Sequence, residues 1–166
     1  RRVSPVAAAV VSVTVFQAGG AHNVIPDDVK LAGTARSFRT ETRQLLETAI
    51  REVSESVAAA HQCQIDFEWS PGYPATVNHA VEAERAAGVM ATVLGEDNID
   101  RDVEPSLGAE DFAYMLEEKP GAYIWLGSGP APAEGMLHCA RFDFNDEVLP
   151  IGASYWAKLV ESELPR

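Results

Sequence analysis

The first 70 residues carry a hydrophobic pattern that predicts two strands, a helix and a third strand. A β-branched run over residues 10–16 and a second apolar run over 29–39 predict strands that pair antiparallel. Apolar side chains recur at three- and four-residue spacing over 40–61, which indicates an amphipathic helix. Residues 63–69 alternate strictly between apolar and polar, which is typical of a strand with one buried face. This β-β-α-β order predicts a split βαβ sandwich that lacks its opening strand and helix.

The rest of the chain predicts three helices and one strand. The first of these helices follows Asn78, which is expected to cap it, and ends near Gly95. A second helix is expected at about 109–118 and a third over 147–164. Between them, residues 122–126 form a short apolar run of the kind found in buried strands. A lone strand leaves its backbone hydrogen-bonding groups without partners, so this half needs a sheet that the sequence does not supply.

The predicted fold class is therefore α/β, with an α+β part over residues 1–70 and a second part over 71–166 that begins at a Pro- and Gly-rich break. We expect the chain to be the end of a larger protein, an interpretation that also fits Arg1 standing where Met would start a gene product. The alternative is an intact domain with unrecognised strands in 96–107 or 136–144.

Charge and composition exclude several partners. The chain has 13 Lys and Arg against 25 Asp and Glu, a formal net charge of −12. This balance argues against nucleic acid and anionic membrane surfaces. No apolar run reaches membrane-spanning length and no leader resembles a signal peptide. Two cysteines distant in sequence make no disulfide framework, so we expect a cytoplasmic location.

The segment 137–146 places His138 just ahead of the last predicted helix, which Asn145 or Asp146 can cap. A histidine anchored in this way suits a metal ligand, whereas a single histidine on a loop is more often structural or simply exposed. Cys139 fits either a second ligand or a small buried hydrophobe.

Two further pairs of residues suggest chemistry. Asn23 in a loop and Arg36 on a strand, if brought close by strand pairing, can hold a carboxylate, which an Arg fork binds through two hydrogen bonds. The alternative for Arg36 is a solvated strand residue. Glu110 and Asp111 fall in the first turn of a predicted helix, where they either complement the helix dipole or support an active site.

Five ordered motifs resemble the C-terminal part of the zinc-dependent amidohydrolase and exopeptidase family, which includes aminoacylase, hippurate hydrolase, carboxypeptidase G and the indoleacetyl-amino-acid hydrolases. The motifs span nearly the whole chain and occupy residues 18–27, 31–36, 73–78, 108–112 and 137–146.

The resemblance implies a metallopeptidase-type catalytic domain with a two-metal site, interrupted by a smaller lid domain that also forms a homodimer. Residues 1–70 would be an incomplete lid and dimerisation domain without its first strand and helix. Residues 71–166 would be the C-terminal part of the catalytic domain.

The resemblance also implies roles for individual residues. His138 falls on the family's last metal-ligating histidine, and Asn23 and Arg36 fall on the lid residues that hold the substrate carboxylate. Glu110 and Asp111 match an acidic motif near the metals and are assigned only a supporting role. The implied reaction is cleavage of hippurate-like N-acyl amino acids by metal-activated water, which gives a carboxylic acid and a free amino acid.

The family's other metal ligands, its catalytic glutamate and a lid histidine correspond to positions before Arg1. A catalytic zinc takes about three protein ligands plus water, and this chain offers one, so we expect the isolated chain to be inactive. Zinc is the expected metal, with manganese, cobalt or nickel compatible with the same ligand types. The chain departs from the family at Cys139 and Ala140, where a polar residue and a proline are usual. The rival hypothesis is a non-catalytic dimerisation or small-acid-binding module.

Overall fold

The computed structural model describes residues 2–129 and 137–164. These residues form one two-stranded sheet, four α-helices and two single-turn 3₁₀ helices, so the predicted mixed α and β class is confirmed. The elements are β1 (Ala9–Ala18), β2 (Val29–Ser37), α1 (Thr40–Ala60), α2 (Ala80–Leu94), α3 (Phe112–Glu118) and α4 (Leu149–Glu163). The 3₁₀ turns occupy Glu96–Asn98 and Asp146–Val148.

The chain divides into two compact units. The first unit contains the residues up to Ala75 together with Ser106–Asp111, and the second contains Thr76–Pro105 together with the described residues from Phe112 onward. The assignment of 1–70 to a lid and 71–166 to a catalytic domain stays a prediction.

In the first unit, β1 and β2 pair antiparallel, as the two apolar runs predicted. Val10 lies opposite Arg36 at one end of the hairpin, and Ala18 lies opposite Val29 at the end next to the connecting loop. Helix α1 contacts β2. Large apolar side chains of the hairpin remain exposed, among them Phe16, which is 72% exposed.

A bulge between Val13 and Val15 interrupts the ladder of this hairpin. Gly33 pairs with Val13 there, and a Cβ atom at position 33 would lie 2.0 Å from the carbonyl oxygen of Ser12. Only glycine allows the two backbones to approach this closely. The register of the hairpin therefore depends on a residue with no side chain.

The strand predicted over residues 63–69 does not join a sheet in the described part of the chain. Only part of its apolar side is covered: the guanidinium of Arg51 in α1 lies 4.2 Å from the centre of the Phe67 ring, and Phe67 and Trp69 are stacked with ring centroids 6.4 Å apart, whereas Cys63 and Ile65 are exposed. The strand prediction was wrong because a period-two pattern indicates one-sided burial and does not identify the partner that buries that side.

In the second unit, α2 and α4 pack around a core of Val89, Met90 and Tyr155. Burial of Tyr155 raises the pKa of its phenol above the ordinary value. An ion pair from Arg85 to Glu163 at 3.0 Å links the same two helices near the surface. No helix in the described ranges has the length and apolar character needed to cross a membrane.

The apolar segment 122–126 also lacks a strand partner within the described residues. Its backbone and that of Gly121 are instead hydrogen-bonded by Asn78 and His79. The Asn78 Nδ2 donates to the Tyr123 carbonyl at 2.8 Å, and the Tyr123 N–H donates to Asn78 Oδ1 at 2.7 Å. The His79 N–H donates to the Gly121 carbonyl at 3.1 Å, and the Gly121 N–H donates to His79 Nδ1 at 3.2 Å. The predicted cap at Asn78 was therefore wrong, since its amide pairs with Tyr123 and α2 begins without a side-chain cap.

Helix α3 begins at Phe112, later than predicted, so Glu110 and Asp111 precede the helix and do not lie in its first turn. The Gly108 N–H donates to Ser106 Oγ at 3.2 Å, a local turn of the kind that competes with helix formation.

The alternative of an intact domain is not supported. The described residues of the two ranges in which strands were sought, 96–107 and 136–144, contain no strand; residue 136 lies outside the described part.

Candidate functional site

Asn23 and Arg36, the predicted carboxylate-binding pair, lie at different ends of the hairpin. Asn23 is exposed in the loop between β1 and β2, whereas Arg36 pairs with Val10 at the far end. The seven steps from Val29 to Arg36 span about 23 Å at ~3.3 Å per residue. The expectation that strand pairing would bring these two side chains together within one chain was wrong.

Arg36 has a defined partner inside the first unit. Its Nη1 donates to the carbonyl oxygen of Leu107 at 2.6 Å. A guanidinium carries five N–H donors, so this single bond leaves enough of them for a two-point contact with a carboxylate. Arg36 is exposed and accessible to such a ligand. The contact argues against a merely solvated strand residue.

The Leu107 bond also connects Arg36 to the acidic motif. Leu107 belongs to Ser106–Asp111, the segment that groups with the first unit. Glu110 in this segment is half-buried and Asp111 is exposed. Arg36 therefore binds the backbone at Leu107, three residues before Glu110, the first of the two predicted supporting acids.

His138 lies in the second unit, exposed at the start of a turn. Its backbone has φ +66°, in the left-handed region that non-glycine residues rarely adopt. The Phe142 N–H donates to the Cys139 carbonyl at 3.0 Å and closes the turn immediately after it. Such strain costs roughly 1–2 kcal/mol and is concentrated at functional sites. Cys139 is half-buried, a degree of exposure that fits both a metal ligand and a small apolar side chain at the edge of a core.

A metal ion needs more ligands than the described part of the chain brings together. Among residues 2–129 and 137–164, no group of three or more His, Cys, Asp and Glu side chains converges closely enough to hold an ion. His138 alone does not fit a catalytic zinc centre, which takes about three protein ligands. The described residues therefore do not by themselves form the implied two-metal site.

Asn145 makes two contacts around the His138 segment, of which sequence reasoning predicted one. Its Oδ1 accepts from the Glu147 N–H at 3.0 Å, which confirms the predicted cap. Its Nδ2 donates to the Ser128 carbonyl at 3.0 Å, a partner 17 residues away that no local pattern reveals.

Comparison with known proteins identifies consistent relatives. The family model described as peptidase family M20/M25/M40 matches residues 4–162. The N-acetylcysteine deacetylase of Bacillus subtilis is 35% identical over 96% of this chain and 40% of its own length. The hippurate hydrolase of Campylobacter jejuni is 34% identical over 96% of this chain and 41% of its own length.

A solved structure has the same fold. The YXEP protein of Bacillus subtilis, described as a dinuclear metal binding peptidase, superposes with a TM-score of 0.75 and is 35% identical; the match covers 94% of this chain and 42% of that protein. The chain spans about two fifths of the length of the curated relatives described above.

The strained backbone at His138 can be tested by substitution. Replacing His138 by Gly should give a protein about 1 kcal/mol more stable than replacing it by Ala, because glycine adopts positive φ without a steric cost. Urea unfolding of the two variants measures the difference. Gln62, with φ +57°, supplies a matched pair of Gly and Ala variants that should differ in the same direction. Equal stability of the two His138 variants, beside a difference at Gln62, would show that His138 does not hold this conformation.

Proposed function

Because this chain belongs to peptidase family M20/M25/M40, we propose that it is part of a metal-dependent hydrolase that cleaves amide bonds. The observation that carries the proposal is the match over residues 4–162, together with relatives named as a deacetylase and a hippurate hydrolase. The substrates are hippurate-like N-acyl amino acids. Water adds across the amide bond, its oxygen to the acyl carbon and a proton to the nitrogen, which releases a carboxylic acid and a free amino acid.

In this proposal His138 is one metal ligand, and the other ligands lie outside this chain. Its exposed imidazole and its strained turn support the role, since a ligand must be accessible and held in place. The related YXEP protein is described as binding two metal ions. Zinc is the proposed metal, and a site of imidazole and carboxylate ligands also admits manganese, cobalt or nickel. The isolated chain is proposed to be inactive because a single ligand does not retain a catalytic ion.

Arg36 is proposed to bind the carboxylate of the amino-acid part of the substrate. The Leu107 carbonyl orients the guanidinium through Nη1, and the remaining donors are available to a ligand. Asn23, exposed in the hairpin loop, is proposed to contact the same carboxylate. Glu110 and Asp111, just beyond Leu107, keep a supporting role.

The hairpin register determines how these two residues can share one ligand. Asn23 and Arg36 are separated by the length of β2 in one chain, so we propose that a site takes Asn23 from one copy and Arg36 from another. This arrangement requires a homodimer through the lid domain that carries the hairpin. The exposed apolar side chains of the hairpin, such as Phe16, support such pairing.

The second candidate function is a non-catalytic dimerisation or small-acid-binding module. It is favoured by the finding that the described residues hold no metal cluster. The coding sequence distinguishes the two candidates. Further codons before Arg1 that encode a Cys-x-His and a Glu-Glu pair support the hydrolase, and a start codon immediately before Arg1 supports the module.

Arg36→Ala in the complete protein should lower kcat/KM for N-acyl amino acids by roughly 10- to 150-fold, since a hydrogen bond to a charged group contributes about 1.5–3 kcal/mol. The kcat/KM for the matching carboxamide substrates should change little, because a neutral carboxamide does not form the ion pair with Arg36. His138→Ala should abolish turnover of both kinds. Steady-state kinetics with an acid and carboxamide pair measures both effects. If Arg36→Ala lowered kcat/KM equally for the acid and the carboxamide, Arg36 would serve only to hold the Leu107 carbonyl and would not bind the substrate carboxylate.

Mixed dimers test the sharing of Asn23 and Arg36 between copies. Each homodimer of Asn23→Ala or Arg36→Ala should have low activity, whereas a heterodimer of the two variants should regain about half of the wild-type activity on the acid substrate. In the heterodimer one site receives both altered residues and the other receives both native ones. Differently tagged chains, co-expressed and purified through both tags, provide the sample. A heterodimer no more active than the homodimers would place both residues of a site on one chain.

A further inference from the structure

The two polar atoms of the Asn145 side-chain amide make hydrogen bonds to two different parts of the chain. The Oδ1 accepts from the Glu147 N–H and begins the 3₁₀ turn that leads into α4. The Nδ2 donates to the Ser128 carbonyl, in the loop that follows the apolar segment 122–126. These partners fix the orientation of the amide, because a carbonyl requires a donor and an N–H requires an acceptor.

The position of this amide matters for His138. The turn closed by the bond from the Phe142 N–H to the Cys139 carbonyl directly follows His138, and Asn145 follows Phe142 by three residues. Asn145 is half-buried, whereas the chain from Arg141 to Phe144 is exposed. The side chain of Asn145 thus makes a half-buried attachment three residues after the turn.

The loop that receives the Asn145 bond is itself anchored in the second unit. Asn78 and His79 hold Gly121 and Tyr123 through four hydrogen bonds. The side chain of Leu126 lies 3.4 Å from the place where a Cβ would stand on Gly152 of α4. Ser128 therefore follows a segment that is held by the Asn78 amide, by His79 and by packing of Leu126 near Gly152 of α4.

We propose that Asn145 is a positioning residue for His138. Its Nδ2 bond to Ser128 fixes the backbone that follows the turn after His138. This role is independent of its Oδ1 bond, which stabilises the start of the 3₁₀ turn before α4. The inference rests on the proposed role of His138 in the reaction. A displaced ligand lowers the rate more than it lowers binding, since a shift of about 1 Å at a reacting group can cost on the order of 100-fold.

Asn145→Asp separates the two tasks in the complete protein. An aspartate keeps the acceptor for the Glu147 N–H and loses the donor to Ser128. Asn98→Asp is the matched control, because Asn98 Nδ2 donates to the Leu94 carbonyl at 2.9 Å in the same unit and has no part in the proposed site. Asn145→Ala, which removes both bonds, should have a lower Tm than Asn145→Asp.

Two measurements besides Tm are needed. The first is the NMR signal of His138 in protein labelled with [13Cε1]histidine, assigned by its loss in His138→Ala. The second is the steady-state kinetics with an N-acyl amino acid. Asn145→Asp should shift the His138 signal and lower kcat by about 10- to 100-fold with KM little changed, whereas Asn98→Asp should alter neither.

An unchanged His138 signal in Asn145→Asp would overturn the proposal, whatever the activity. Failure of the proposed function is a separate outcome: if His138→Ala itself leaves turnover intact, His138 is not part of the reaction. A shifted signal in Asn145→Asp would still support the positioning of the turn in that case.

Discussion

Backbone N–H and C=O groups must find partners, and this requirement organises the chain more than any single apolar contact. β1 and β2 pair with each other. Other segments rely on side chains: the Asn78 amide binds both backbone groups of Tyr123, and Arg36 donates to the Leu107 carbonyl. Asn145 binds Ser128 in the same manner. Side chains of asparagine and arginine thus bind backbone groups of Leu107, Tyr123 and Ser128, which have no strand partner within the described residues.

The same bonds lie next to the candidate functional residues in the sequence. Arg36 is held by the segment that carries Glu110 and Asp111, and the His138 turn is followed by the Asn145 attachment. Each candidate residue lies on a strand end or a loop, where chemistry is usually placed on a rigid scaffold. Within one copy, Asn23 and Arg36 are separated by the length of β2, and this separation is the reason for proposing a carboxylate site shared by two copies.

Local periodicity predicted the elements well where a segment carries its own pattern. The hairpin, α1 and α4 lie close to their predicted positions, because spacing along the sequence reports burial directly. The separation of Asn23 and Arg36 was also available from the sequence, since antiparallel pairing around the loop puts Arg36 beside the start of β1. The contact from Asn78 to Tyr123 was not available, because its partners are 45 residues apart. Residues 63–69 show the converse: their sequence alternates strictly, yet only Phe67 and Trp69 are half-buried and no strand forms there within the described residues.

The central claim is that this chain supplies one metal ligand, His138, to a centre completed by other residues. Zinc content and hydrolysis of the isolated 166-residue chain, measured after dialysis, test the claim most directly. We expect far less than one zinc per chain and no release of amino acid from hippurate-like substrates above the blank. A tightly bound stoichiometric ion together with turnover would contradict it, since the chain would then contain a complete centre.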